Sequence, residues 1–386
     1  MTPHRTIAIL LALTALLVAA TAHASDADTI AVIEAAIPDA LDWLIDEAWH
    51  EGEGFYYAGW RDFHAWDTAL AIWAFIWLSE HGWDTERHRD EVVDALAWLE
   101  TRRHPGGEYF YAGVDVPDEG DIEITSFAGQ IIPHATTDAW IVGEQRKAGN
   151  WYAQTEAFDP RDYPSLTGHA MYMAACRELP IDWSAAYDWL MSRTPEDYLP
   201  ARYYYYTRFY NTYPLSAVAR LRPDFPKTAR EGMVQALLAF QDEDGSFEGR
   251  TMDDTPSAIV PTSLALQTAL ELDDPRLTDV IDRAAGFLLD HFEDRHWPGN
   301  QFGPNYAKDE SLFTTVHAAR ALGMLHARLT GGNWDTCVRD PDSWVAADDD
   351  ADDDLDDDAD DDDTGDNDDE SVEDANDDDD DPACGC

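Results

Sequence analysis

Two kinds of helical segment alternate along most of this 386-residue chain, and that alternation limits the fold more than any other feature. Ala40–Trp49, Glu91–Leu99 and Leu277–Leu289 place apolar side chains at i, i+3, i+4 and i+7, so each carries a single apolar stripe. Thr68–Leu78, Thr262–Leu270 and Thr314–Leu325 are apolar on nearly every side. A helix of the first kind covers a core, and one of the second kind must lie inside it. Repetition every ~40–50 residues therefore predicts two concentric layers, with amphipathic helices outside and apolar helices inside. Pairs begin near Pro38, Glu91, Ser184, Thr228 and Leu277, with a degenerate one around Ser165–Leu179. Five or six pairs close a ring, so the expected fold is all-α, an (α/α)5-6 toroid. An open superhelix with capped ends is the alternative.

The connections repeat as well. Outer helices run into loops rich in aromatics and glycine: Gly54–Trp60, Gly107–Gly113, Arg202–Tyr206, Asp244–Phe247 and Trp297–Phe302. In a ring these loops open on one face, at the N-termini of the inner helices. Phe55, Tyr56, Tyr57, Trp60, Tyr109, Trp151, Tyr203 and Trp297 are among the aromatics placed to line a central cavity there. Aromatic faces stabilise cations and also stack on sugar rings, so the expected ligand is small and hydrophobic, or a glycan.

The two ends differ from this body. A basic start at His4 and Arg5, an apolar run from Ile7 to Ala20 and Ala22-His23-Ala24 before Ser25 read as a secretory signal over residues 1–24. The run is shorter than the ~20 residues a bilayer requires, which disfavours a membrane anchor. The toroid domain is expected over 25–345. Residues 346–386 form an aspartate-rich tail that buries nothing and is expected to be disordered. Of the chain's 79 acids, 24 lie between Asp348 and Asp381, which still leaves the body near −30. A surface this acidic repels nucleic acid and anionic membranes, so neither is an expected partner. Export to the periplasm, cell surface or medium, as a monomer, is the expectation. The terminal Cys384-Gly-Cys386 resembles the cysteine core of bacterial C-terminal surface-sorting signals, without their hydrophobic helix and basic end, and suggests attachment through Cys384. Cys176 reads as a buried thiol in an apolar helix, with pairing to Cys337 as the alternative.

Ala236–Phe247, reading through Gln241-Asp-Glu-Asp-Gly245-Ser-Phe247 into the Ser263 helix, resembles the Q-x-x-D-G-S-W repeat of terpenoid cyclases and protein prenyltransferase β-subunits. The resemblance is close for this repeat and looser elsewhere, and it implies the same toroid. It speaks to architecture far more than to chemistry, because such toroids also carry secreted lyases and binding proteins.

In the cyclase branch a D-x-D-D-T motif supplies the initiating proton. Thr251-Met-Asp253-Asp254-Thr255 resembles it, with the first acid replaced, and makes Asp253 and Asp254 candidate acids. The alternative is a turn leading into a helix start. The zinc site of the prenyltransferase branch needs a cysteine where this chain has none between Cys176 and Cys337, so neither metal nor cofactor is expected. His64 and Asp67, three residues apart at the start of an inner helix, form a candidate acid/base pair, or else a wall residue and a cap. His134 with Asp138, His169, and Asp309 with Glu310 occupy similar lip positions, and Asp309 is a further candidate carboxylate. His317 reads as a core histidine with one partner. Gly143-Glu144-Gln145 lacks the cysteine of a thioester, since Val142 precedes it. The leading expectation is acid-initiated chemistry on an isoprenoid-like ligand. A polysaccharide lyase or hydrolase using Asp67 and Asp309, and a binding or display module without catalysis, are the alternatives.

Overall fold

The computed structural model describes residues 3–56, 64–110, 121–151, 164–193, 209, 211–250, 256–299 and 311–345. Six inner helices form a ring: α2 (His64–Glu80), α4 (Ile122–Ile131), α6 (Pro164–Cys176), α8 (Tyr213–Leu221), α10 (Ile259–Leu272) and α12 (Ser311–Leu329). Each packs against the next, and α12 packs back against α2, so the ring closes. The outer layer is α1 (Pro3–Ala48), α3 (Arg89–Glu100), α5 (Ala135–Gly143), α7 (Trp183–Ser192), α9 (Lys227–Phe240) and α11 (Thr278–Asp290). The expected all-α toroid is thus present with six pairs, and the open superhelix is excluded.

Two details of the pairing differ from the sequence reading. Ser165–Leu179 is not a degenerate pair but mainly one inner helix, α6, which follows the outer helix α5 in the chain and packs against both α5 and α7. Pro38 starts nothing, since α1 runs through it. Both α4 and α5 are short, ten and nine residues, which gives too few turns for a stripe to be recognised.

The layers are bolted together by one recurring bond. The backbone N–H of the aromatic that ends each turn donates to a threonine hydroxyl near the start of the following inner helix. The pairs are Phe55 with Thr68 (2.9 Å), Tyr109 with Thr125 (2.9 Å), Trp151 with Thr167 (3.2 Å), Phe247 with Thr262 (2.9 Å) and Trp297 with Thr315 (3.2 Å). All five threonines are fully buried, so each would otherwise leave an N–H without a partner. The glutamine of the sequence repeat holds the same turn: Gln241 Nε2 donates to the Gly245 carbonyl (3.0 Å) and to Val280 on the next outer helix (2.9 Å). Gln145 does likewise, reaching Gly149 (3.4 Å) and Asp182 (2.9 Å). Gly149 sits at φ +96, where a Cβ would overlap the Ala185 carbonyl of α7. Among the described residues two short antiparallel strand pairs occur, β1 (Trp49–His50) with β2 (Gly54–Phe55) and β3 (Gly249–Arg250) with β4 (Pro256–Ser257).

A strap after α12 lies across the C-terminal ends of the inner helices. Trp77 Nε1 donates to the Asp335 carbonyl (2.7 Å), Asp335 N–H donates to His81 (3.0 Å), and Glu80 accepts from the amides of Arg339 (2.8 Å) and Asp340 (2.6 Å). The guanidinium of Arg220 lies 3.8 Å from the Trp334 ring. Cys337 is joined by a disulfide to Cys176 at the end of α6, with 5.5 Å between their Cα atoms. The expectation of a free buried thiol at Cys176 is corrected: the strap brings Cys337 back over α6, across a separation of 161 residues that spacing alone could not bridge. Among the described residues no helix is long and apolar enough to cross a membrane. The acidic run and the terminal Cys384 lie outside the described residues.

Candidate functional site

The inner helices carry a polar cluster inside an otherwise aromatic wall. Asp121 caps α4, its carboxylate accepting the amides of Glu123 (2.7 Å) and Ile124 (3.1 Å). Asp121 thereby takes up the helix-end donors that a neighbouring carboxylate could have used. Glu123, in the first turn and 5 % exposed, accepts the indole N–H of Trp66 at 3.0 Å, and His169 Nε2 lies 3.7 Å from the same oxygen. The Tyr213 hydroxyl is 3.3 Å from His169 Nε2. Aromatic rings complete the layer. Trp66 stacks on Phe313 at 5.0 Å, Phe127 lies 4.9 Å from His169, and Tyr213 and Phe313 meet His317 at 5.3 and 4.4 Å.

Burial decides the charge states here. Desolvation pushes the Glu123 carboxyl well above the usual range, and the adjacent Asp121 adds to this, while the Trp66 N–H opposes it. Burial raises Asp121 to about 6 against its two amide bonds. It lowers His169 to about 3, and holds His317 well below the ordinary histidine value with help from the Arg320 guanidinium. Burial thus favours the protonated form of the Glu123 carboxyl and the neutral form of the two imidazoles. One layer deeper, buried Arg320 donates to Gln267 (2.6 Å), to the Thr336 carbonyl (3.0 Å) and to Tyr172 (3.3 Å), with its guanidinium 4.1 Å from the Trp73 ring.

The residues singled out from sequence fall in different places. Asp253, Asp254 and Asp309 lie outside the described residues, although β3 and β4 pair on either side of Thr251–Thr255. His64 is buried with its ring against Tyr56 (4.0 Å) and against Trp98 of outer helix α3 (4.5 Å), and burial lowers it to about 4. Asp67 is buried in the first turn of the same helix. His134 caps α5 and Asp138 pairs with Arg177 (3.0 Å), so these two belong to the outer layer and not to the lip. His169 reaches the interior cluster, and among the described residues His317 has one side-chain hydrogen-bond partner, Gln267. Among the described residues no group of three or more His, Cys, Asp or Glu is arranged to hold a metal ion.

Glu123 and Asp121 escaped the sequence reading, yet a signal was present. Asp121-Ile-Glu123-Ile-Thr125 keeps the aspartate, middle acid and threonine of D-x-D-D-T, with glutamate in the middle and isoleucine for the fourth residue. The threonine is the bolt of its repeat, which fixes the register of the acid two residues before it.

No protein-family model matches the sequence, and no curated protein matches it. Solved structures do resemble the fold. The type II terpene cyclase MstE from Scytonema, with its substrate geranylgeranyl dihydroxybenzoate, superposes with a TM-score of 0.59 at 15% identity, covering 78% of this chain and 99% of that one. Ligand-free MstE gives 0.58 at 15% identity, covering 77% and 98%. A protein from Actinoplanes gives 0.55 at 15% identity, covering 76% and 99%. At this level of identity the likeness establishes architecture: the chain has the α/α toroid fold seen in type II terpene cyclases.

Proposed function

We propose that the protein takes an isoprenoid-like ligand into the interior of the toroid and that Glu123 donates the proton that starts its conversion. The observation that carries this reading is the buried carboxyl of Glu123, bonded to the Trp66 N–H beside the His169 ring, with Phe313 stacked on Trp66 and Phe127 against His169; desolvation there favours the protonated acid. A carboxylic acid can give up a proton only if it still holds one at working pH, and aromatic faces favour the cation that results. The proton leaves the Glu123 oxygen for the ligand, the carboxylate formed keeps the Trp66 N–H bond, and the proton released at the end restores the acid. Fold similarity to MstE, whose structure holds a geranylgeranyl substrate, adds support for an apolar ligand. The Cys176–Cys337 disulfide, together with the signal-like first 24 residues, supports a place outside the cytoplasm.

Separate Glu123→Gln and Asp253→Asn variants, assayed on a panel of linear isoprenoid alcohols, epoxides and aryl ethers, test the reading. Glu123→Gln keeps the shape and should lower turnover by at least ~100-fold while leaving ligand binding within a few-fold. Loss in Asp253→Asn alone would move the acid to the loop after β3. Binding without turnover in the unaltered protein would make this a binding module.

A further inference from the structure

We infer that the ligand carries a neutral oxygen acceptor, a hydroxyl, carbonyl or epoxide oxygen, which receives a hydrogen bond from Nε2–H of His317 inside the toroid. This deepens the isoprenoid reading above and rests on it. The argument is one of tautomers. Arg320 has only donors, and its Nη1 lies 2.6 Å from one terminal atom of Gln267, so that atom is the amide oxygen. The Gln267 NH2 must then face α12, where it meets the His317 carbonyl at 3.0 Å and His317 Nδ1 at 3.2 Å. Two amide hydrogens meet two acceptors, so Nδ1 bears the lone pair. The imidazole is neutral, and its single proton therefore sits on Nε2.

That Nε2–H is buried and has no hydrogen-bond partner among the described residues. His317 faces the interior: its ring meets Tyr213 of α8, which is not a ring neighbour of α12, so the contact crosses the toroid. A second donor in the same interior is equally unpaired, the indole N–H of Trp73, whose ring lies under Arg320 and against Phe127 of α4 at 5.5 Å. Trp can only donate, and so can Nε2 in this tautomer. Buried donors left without acceptors are costly, and their repeated occurrence marks a place where an acceptor belongs.

The acceptor is neutral because the two donors that await it, the His317 imidazole and the Trp73 indole, carry no charge; the terminal nitrogens of Arg320 are committed to Gln267, Tyr172 and Thr336, 4.0 Å from Glu271, and its Nε is a further buried donor without a partner among the described residues. The acid agrees with this. A carboxyl weakened by burial protonates an oxygen lone pair more readily than a carbon–carbon double bond. The tautomer also bars His317 from taking a proton at Nε2, so it is a specificity-determining donor and not a base.

Two measurements on the full chain decide the matter. Nitrogen-15 NMR of labelled histidine should show the His317 proton on Nε2 across neutral pH. Binding of matched pairs, squalene epoxide against squalene and geranylgeraniol against the corresponding hydrocarbon, should favour the oxygenated member by about tenfold, the worth of one buried hydrogen bond. In His317→Phe the preference should fall below about threefold, while binding of the hydrocarbon is kept. A proton on Nδ1, equal binding within the pairs, or an unchanged preference in His317→Phe overturns the inference while leaving the isoprenoid reading intact. If no member of either pair binds, the isoprenoid reading fails and the inference fails with it. Should His317→Phe not fold, the NMR tautomer and the pairwise preference of the unaltered protein decide alone.

Discussion

Replacing both Cys176 and Cys337 by serine should destabilise the toroid by about 3 to 5 kcal/mol without opening it. The bond closes a loop across a separation of 161 residues, and the chain-entropy relation for a loop of that size gives about 5 kcal/mol of denatured-state restriction. The lower end of the range allows for a denatured chain that is not a free coil. The native strap does not depend on the sulfurs, because Trp77, His81, Glu80 and Arg320 all bond its backbone, each contact contributing about 1 kcal/mol net. Urea unfolding followed by far-ultraviolet circular dichroism, comparing the oxidised protein with the double variant, measures the difference. The midpoint should drop and the slope should rise, because the released denatured chain exposes more surface, while the folded tryptophan emission should stay the same, since Trp77 and Trp334 keep their partners. A loss under about 1 kcal/mol would refute the entropic argument. A red-shifted emission in the folded variant would refute the claim that hydrogen bonds hold the strap.

Removing one bolt, as in Thr262→Val, leaves the Phe247 amide buried without an acceptor and should cost about 1 to 3 kcal/mol in the same unfolding assay, with similar values at Thr125 and Thr167. Gly149→Ala should cost more than Gly52→Ala, because both positions have positive φ but only the first would drive a Cβ into a neighbouring backbone; about 1 to 2 kcal/mol is expected at Gly52 alone. Stability should be greatest and nearly flat between about pH 4.5 and 6.5. Below that window His64 and His169, lowered from 6.5 to about 4 and about 3, resist protons that the unfolded chain accepts; above it Glu271, raised from 4.5 to about 7, and Glu123, raised well above 4.5, hold protons that the unfolded chain releases. Calorimetric melting temperatures across pH 3 to 9 that rise steadily in one direction would contradict this balance.

The architecture was legible because both of its causes act locally. A helix buried on all sides must be apolar on all sides, as Thr68–Leu78 and Thr314–Leu325 are, and a helix covering them need be apolar on only one, so burial class is written into composition. The turn of Gln241 and Gly245 was legible for the same reason, since donor, acceptor and left-handed glycine lie within five residues. The partners that fix the pair count were harder to see. Ile122–Ile131 and Ala135–Gly143 are too short to show a period, and Gln145 stood in a Gly-Glu-Gln string whose part in a turn becomes visible only when Asp182 is placed beside it.

The site was less legible because what defines Glu123 is not its neighbours in sequence. Thr251–Thr255 keeps the two adjacent aspartates and the threonine of the motif, whereas Asp121–Thr125 keeps only its first aspartate and its threonine, with glutamate for the middle acid, and so is harder to see. What separates an acid that can donate a proton from one that merely caps a helix is which carboxylate captures the backbone donors. Asp121 takes both amides at the start of α4 and behaves as a cap, while Glu123, two residues on, has none of them and is turned toward Trp66 and His169. Exchanging the two identities, Asp121→Glu with Glu123→Asp, tests the proposed division of labour, because it keeps composition and charge but lengthens the cap and shortens the reach to Trp66. That exchange should cost about 1 kcal/mol in helix capping. It should also abolish turnover if position and not acidity alone makes the donor, and turnover surviving the exchange would show that any carboxyl in this first turn suffices.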